Sequence, residues 1–495
     1  MFLLGPLVGE CDETRACLLY ESDEDMILIV SSVTDPCVAT MAAPRTFRVE
    51  DPGTHHPQTI VLQNLLSNTN YTASWVKTPT SPTAPSSYVH SFTTSSGVAS
   101  PARLLFVSCN FLDNRGNTDL WQHACDVDVS SCDVAVHMGD QIYGDRIYWD
   151  AMKLLNRRFE KCTAQERARF EDVIVNMYAD EYCKTWMHPP TRHFLANTSN
   201  LMIWDDHDSG VDGSRIDPSN AKGVFIRNAA KRAFHMYQSS LRLDNATNTT
   251  TPGRKLPHQG YRKRYGNMEL MMIDNISVPE SHLDGPTIFA LRNALSTTEC
   301  TDVVLVFPVP PVPIHRTGVK ARLLNAVFPL SEDYDDNRVA VVYGLARDFL
   351  KRGPSHRIAI VGGDYHMGAN AIVSGGPRNF PLFVSSGITN FCTVLEKIKL
   401  ELMMKASKAI THDGFEITYD ASQSMARRNY AVFDTRAWQA RLVFAPKERI
   451  TWKTCKRYIY CALMFKGLLG KAPKLPRSSS QLPRPSPQHE ECTSV

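Results

Sequence analysis

VAVHMGDQIYGD, residues 134–145, decides how this chain folds. Val134 to Met138 form a short apolar run of the kind that fills a strand buried on both faces, and Gly139 stops it abruptly. Asp140, Tyr143 and Asp145 then follow within six residues. A buried strand ending in carboxylates and a phenol belongs at a sheet edge where a ligand binds, and the donor types point to a metal ion. Taken alone, Gly-Asp after a strand is also an ordinary turn, so the rest of the chain has to decide.

Working outward, similar runs recur at LLFVS (104–108), LMIWD (201–205), LMMID (270–274), VVLVFP (303–308), RIAIVGGD (357–364) and FPLFVSSG (380–387). Charged helical stretches at 150–186 and 337–353 lie between them, the second stopped by Gly353-Pro354. Interleaved strands and helices from about Leu104 to Ala445 predict a layered α/β domain. The first hundred residues differ. Short runs such as MILIVSS, TFRVE, TIVLQNL, NYTASWV and YVHSFTT, separated by turn-forming residues, predict a small β-sandwich. SSGVASPAR at 95–103 reads as the linker, which divides the chain into a β-sandwich at 1–98, an α/β domain at 99–445 and a tail at 446–495.

The tail is basic and then Pro/Ser-rich, with ten Lys/Arg against one acid between Lys447 and Arg484. Its last part is expected to be disordered. Residues 453–474 are basic and apolar, and read either as a final helix packed on the domain or as a peripheral contact with an acidic lipid surface. A net charge of +3 over 495 residues gives no chain-wide field for nucleic acid. Thirteen cysteines without a CxxC fit reduced thiols and a cytoplasmic location, while five Asn-x-Ser/Thr tripeptides, among them those at Asn70 and Asn245, leave secretion open. The opening MFLLGPLVGE lacks a basic start and a cleavage site, so it reads as a first strand rather than a signal peptide. No apolar run approaches the roughly 18 residues that span a bilayer.

Four strand-like runs end in polar clusters: FVSCN at Cys109, HMGDQIYGD at Asp140, MIWDDHD at Asp205 to Asp208, and VGGDYHMG at Asp364 and His366. Strand ends gather at one crevice in such folds, so four distant segments converge. Crowded carboxylates repel and raise one another's pKa unless a cation sits among them. Thiolate, phenolate, carboxylate and imidazole together suit transition metals, with calcium or magnesium on the oxygen-rich side.

This ordered set resembles the PhoD-like alkaline phosphatases, a branch of the calcineurin-like metallophosphoesterase superfamily. GPLVGE, SFTT, YRKRYGNMELMMID and RNYAVFD extend the resemblance over roughly residues 1 to 445. It implies a layered β-sandwich core with helices outside, preceded by a small all-β domain of immunoglobulin or fibronectin type. It also implies hydrolysis of phosphate monoesters or diesters at a multinuclear centre, iron with calcium in some members. By this resemblance Cys109, Asp140 and Tyr143 are iron ligands, Asp140 also bridges to a second metal, and Asp206, Asp364 and His366 complete the ligand set. His207 takes the place that protonates the leaving group or holds phosphate, and Asp205 and Asp212 are additional ligands or supports. One departure is Ile276 in MIDNIS, where relatives commonly carry Arg, so a cationic phosphate contact is expected to be missing.

Two other readings stand beside this one. The chain is then a retired enzyme that binds phosphate esters as a scaffold, or Cys109 is a covalent nucleophile, for which no activating base lies nearby in sequence. YRKRYG at 261–266 reads as a steering patch or as alternating charge on a solvent-facing strand, and KIKLELMMKASK at 397–408 as an amphipathic surface helix.

Overall fold

The computed structural model describes residues 2–447 except 34–38, 44–54, 78–86, 115–117, 156–158, 211–218, 247–252, 278–282, 316, 328–335, 393 and 407–413. The described residues fall in the compact unit Met1–Glu448. Asp212, the TFRVE run and nearly all of the tail, including 453–474, lie outside them. Among the described residues no helix is long and apolar enough to cross a membrane.

The N-terminal region is all β: β1 (Phe2–Cys11), β2 (Ala16–Ser22), β3 (Met26–Ser32), β4 (Ala39–Ala43), β5 (Gln58–Leu62), β6 (Asn70–Lys77) and β7 (Ser87–Thr93). They form sheets β1-β2-β5 and β4-β3-β6-β7, antiparallel throughout. Alternation along β3 and β6 sends Leu28, Val30, Tyr71, Ala73 and Trp75 toward Val8, Leu18 and Tyr20 of the other sheet. Trp75 sits at the centre, edge-on to Phe2 at 5.5 Å and tilted against Tyr20 at 5.1 Å. The first sheet is covered on its other face as well, because Leu4, Leu7 and Leu19 pack into the core beneath the helices of the following region. That double burial is why β2, ACLLYES, is buried at every position and shows no alternation to read.

The following region runs β8 (Arg103–Val107), α1 (Leu120–Val127), β9 (Val134–Met138), α2 (Asp145–Leu155), α3 (Ala164–Trp186), α4 (Pro189–Ala196), β10 (Ser199–Ile203), α5 (Asp206–Ser209), α6 (Ala221–Tyr237) and α7 (Leu243–Ala246). It continues through β11 (Tyr261–Tyr265), β12 (Met268–Met272), α8 (Gly285–Thr297), β13 (Asp302–Phe307), α9 (Val319–Val327), α10 (Asp336–Lys351), β14 (Arg357–Gly362), β15 (Gly368–Ser374) and β16 (Phe380–Ser385). It ends with α11 (Val394–Ala406), β17 (Glu416–Tyr419), β18 (Asn429–Asp434) and β19 (Gln439–Phe444).

Two sheets result, β10-β9-β8-β18-β19 and β11-β12-β13-β14-β16-β15-β17. They pack face to face. Leu104, Phe106, Val134, Val136 and Leu201 of the first meet Val304, Val306, Val361 and Phe383 of the second. The alternate residues Leu105, Val107, Ala135 and Met202 face the other way, under α1 to α4 and α6. Val303, Leu305, Ile358 and Ile360 do the same under α8, α10 and α11. Each central strand is therefore buried on both faces, which makes it a continuous apolar run in sequence. The layered α/β sandwich with helices outside, preceded by a small all-β region, is the fold observed.

Local signals set the helices. Thr163 and Glu166 form a capping box that starts α3, and Pro189-Pro190 opens α4 directly after it. One expectation is corrected. The strand of YRKRYG does not face solvent throughout, because Lys263 is buried and its ammonium meets the buried carboxylate of Glu10 at 2.5 Å. Arg254 reaches the same carboxylate at 3.0 Å, and Arg262 pairs with Glu269 at 2.8 Å. These charges lock β11 to β1 and to β12, so they do not form a free steering patch.

Candidate metal centre

The loops after β8, β9, β10, β14 and β16 meet at one edge of the sandwich. Cys109, in the loop after β8, is fully buried, and its thiol donates to Asp140 Oδ2 at 3.4 Å. It also lies 3.1 Å from Ser386 Oγ and 3.8 Å from the backbone oxygen of Asp364. Ligand atoms of Cys109, Asp140 and His366 lie within 4.8 Å of one another, and so do those of Asp140, Asp206 and His207. Asp140 is common to both groups. Tyr143 Oη lies 3.1 Å from His366 Nε2, and the Tyr143 ring is stacked between Phe111 at 4.5 Å and His207 at 4.4 Å.

The backbone is bent to make this meeting. Cys109, Asp140, Asp364 and His366 all take left-handed φ angles, 58°, 53°, 59° and 49°. Such angles disfavour side chains with a Cβ and cluster where function demands them. Gly139, at φ 92°, passes so close to Asp205 that a Cβ there would stand 2.3 Å from the Asp205 Cβ. Glycine is required at that crossing.

Asp208 ties two of the loops together. Its buried carboxylate accepts the backbone N–H groups of Asp140 at 2.9 Å, Gln141 at 3.1 Å, Ile142 at 3.3 Å and Asp205 at 2.9 Å, and the amide Nε2 of Gln238 at 2.9 Å. Asp205 caps the four-residue α5 through Oδ1, which accepts from Asp206 N–H at 2.8 Å. Asp145 holds His207 Nδ1 at 2.8 Å. Asn390 Nδ2 donates to Tyr143 Oη at 2.8 Å and lies 2.9 Å from His366 Nε2, and Glu396 lies 3.5 Å from His366 Nδ1.

The electrostatics of the cluster call for positive charge. Burial first, then Asp206, Asp208 and Asp364, push the Asp140 carboxyl well above its ordinary value, against the opposing pull of His207. Burial, Asp206 and Asp140 do the same to Asp205, and burial raises Asp208 to about 7. The Cys109 thiol is pushed well up by burial, Asp140 and Asp364. Burial opposes charge on His207, but Asp145, Asp206 and Asp140 outweigh it and raise its pKa well above 6.5. Asp140 Oδ1 and Asp205 Oδ2 are buried without a hydrogen-bond partner. Orphaned anionic oxygens among crowded carboxylates fit a cation, which would satisfy both the lone pairs and the charge.

The sequence-predicted residues Cys109, Asp140, Tyr143, Asp205, Asp206, His207, Asp364 and His366 are therefore gathered at this edge, while Asp212 lies outside the described residues. Sequence reasoning placed Asp145 and Asp208 in the polar clusters without giving either a role, and passed over Ser386 and Asn390. Ser386 lies at the polar end of FPLFVSSG and Asn390 three residues beyond it, a strand ending in polar residues by the rule that found the others. Ile276 is buried, and Arg227 of α6 donates to its backbone oxygen at 3.3 Å. The Arg227 guanidinium is lowered by burial and held up by Asp274 and Asp206. A cation from another element thus stands near Asp206.

The two-sheet sandwich with helices outside and metal-donor residues at its strand ends is the arrangement of the metallophosphoesterase fold. Residues 104–284 match the family model for PhoD-like phosphatases. A solved structure described as that of PhoD matches with a TM-score of 0.59 and 12% identity, over 94% of this chain and 97% of its own. At that identity the likeness is one of fold. A purple acid phosphatase from yellow lupin (Lupinus luteus) seeds matches with a TM-score of 0.47 and 9% identity, over 90% of this chain and 77% of its own. No curated protein matches the chain in sequence.

Proposed function

We propose that the chain hydrolyses phosphate monoesters or diesters at a multinuclear metal centre held by Cys109, Asp140, Tyr143, Asp206, Asp364 and His366. The observation that carries this is Asp140, shared by both donor groups and left with a buried, unpartnered Oδ1. The thiolate and phenolate side suits iron, and the carboxylate side around Asp205 and Asp206 suits calcium or another hard divalent ion. Cations held there would bind the ester, acidify a water and offset the charge that builds on the attacking and leaving oxygens.

The chain's own groups do the rest. Asp145 orients His207 and helps keep it protonated, so His207 is poised to give a proton to the leaving oxygen, worth about 10²–10⁴-fold. Phe111 and His207 sandwich the Tyr143 ring and fix its hydroxyl toward His366. Arg227, coupled to Asp206 and hydrogen-bonded to the Ile276 backbone oxygen, is a cation placed to offer the phosphate contact expected to be missing at Ile276, which weakens the case for a retired enzyme. Burial and two carboxylates keep the Cys109 thiol protonated in the absence of a cation, which favours a ligand over a nucleophile.

The test combines elemental analysis with turnover of chromogenic phosphate mono- and diesters. Stoichiometric metal, loss of activity on chelation, and at least about 10²-fold loss in Asp140→Ala and Asp206→Ala that remain folded are expected. Metal-free protein, or activity indifferent to both substitutions, overturns the proposal.

A further inference from the structure

Away from the strand-end cluster, Glu21 of β2, His55 before β5 and Cys183 of α3 bring a carboxylate, an imidazole and a thiol together, with ligand atoms within 4.8 Å of one another. His55 Nδ1 lies 3.0 Å from Glu21 Oε2, and Cys183 Sγ lies 3.6 Å from that oxygen and 3.7 Å from that nitrogen. A tetrahedral zinc ion with metal–sulfur bonds of about 2.3 Å and metal–nitrogen or metal–oxygen bonds of about 2.0 Å spaces its donors about 3.3–3.6 Å apart. The three side chains already approximate one face of that tetrahedron.

A second feature is independent of those distances. The far nitrogen of His55, Nε2, lies 3.0 Å from Asp180 Oδ1, so the carboxylate takes the Nε2–H and turns Nδ1 toward Glu21 and Cys183. A carboxylate behind a histidine is the usual support of a metal-ligating imidazole. Glu21 is also fixed in place, because Oε1 accepts the His56 N–H at 2.7 Å and Oε2 accepts the Tyr237 hydroxyl at 3.4 Å. The His55 N–H donates to Asn176 Oδ1 at 3.2 Å, which anchors the segment to α3.

We propose that Glu21 Oε2, His55 Nδ1 and Cys183 Sγ form a second metal site for a zinc-class divalent cation, with Asp180 orienting His55. Sulfur and nitrogen donors disfavour calcium and magnesium. Binding is a simple exchange. The cation enters, the Cys183 thiol proton and any proton on His55 Nδ1 leave to solvent, and no electron moves. Three protein donors leave a fourth position for water. The ion cross-links β2 and the His55 segment to α3, and so holds the first N-terminal sheet against the helical layer.

The competing account is an ion pair alone, with a protonated His55 clamped between Glu21 and Asp180. Cobalt(II) added to metal-stripped full-length protein distinguishes them. The Cys109→Ser background removes the other candidate thiolate. Expected there is a thiolate-to-cobalt charge-transfer band with the intensity of one site per chain, displaced by zinc. Adding Cys183→Ser or His55→Gln should abolish the band. A missing band in Cys109→Ser, or one that survives Cys183→Ser, overturns the proposal. Should those variants fail to fold, Asp180→Asn is decisive, since it keeps all three donors. It should retain the band but bind cobalt about 10–100-fold more weakly, and unchanged affinity overturns the proposal.

Discussion

Asp140 carries two burdens at once, a left-handed backbone and a carboxylate that its surroundings oppose. Asparagine tolerates the same backbone angle, so Asp140→Asn removes the charge without disturbing the turn. In chelator-treated protein this substitution should leave the melting temperature unchanged or raise it, because it relieves repulsion with Asp206, Asp208 and Asp364. Turnover should fall at least about 10²-fold through loss of the shared ligand. A lower melting temperature would mean that Asp140 serves the fold rather than the metal. Asp208 should behave in the opposite way. Asp208→Ala strands five buried donors, at a cost on the order of 4 kcal/mol, and should lower both denaturant midpoint and metal content. Arg227→Ala should raise KM about 5–50-fold with a smaller effect on kcat if it contacts phosphate in ground and transition state alike. Sequence patterns exposed the donors themselves, since polar residues directly after apolar strands are conspicuous. They hid the role of Asp208, which is to accept backbone N–H groups from a loop more than sixty residues away in the chain, and they hid Arg227, which sits mid-helix and looks like any surface arginine.

At the scale of elements, the central strands were legible because burial on both faces leaves an uninterrupted apolar run. The same physics hid β2, where double burial removes the alternation that marks a half-exposed strand. It also misplaced YRKRYG, since nothing in a basic strand announces that a glutamate from β1 lies beneath it. The partner is Glu10, whose carboxyl is held down at about 2 by Lys263 and Arg254 despite the opposing effect of burial. The fall from 4.5 to about 2 corresponds to about 3 kcal/mol of stability. The folded-state pKa is depressed, so this contribution is present above about pH 4.5 and disappears as pH falls toward 2. Glu10→Gln should therefore lower the unfolding free energy by about 3 kcal/mol or more at pH 7, because Lys263 is then buried without its counter-charge. Denaturant titrations of variant and wild type should converge below pH 4.5. A constant gap would place the stabilisation in packing rather than in charge.

Over the whole molecule, two buried histidines make the fold sensitive to mild acid. His90 of β7 accepts the Trp75 indole N–H at 3.0 Å and lies with Nδ1 2.6 Å from the Ala196 backbone oxygen at the end of α4. The donor and acceptor on either side match a neutral ring, and a second ring proton would point at the indole. His137 lies in β9 between Gln141 and Asn200. Burial lowers both from 6.5 to about 4. Between those values the unfolded chain binds the proton and the folded one does not, so stability falls as pH drops from 6.5 to 4. The loss approaches about 3 kcal/mol for each histidine. His90 joins the N-terminal sheets to the helical layer while His137 lies within the larger sandwich, so acidification loosens the joint and the core through the same pH window. Unfolding measured by denaturant at pH 7 and 4.5 should show this decline, with about 1.5 protons taken up by these two sites at pH 4.5. His90→Gln keeps an acceptor for Trp75 but cannot titrate. It should be less stable than wild type at pH 7, yet lose about 3 kcal/mol less on acidification, and parallel pH profiles for the two proteins would show that His90 is not one of the groups responsible.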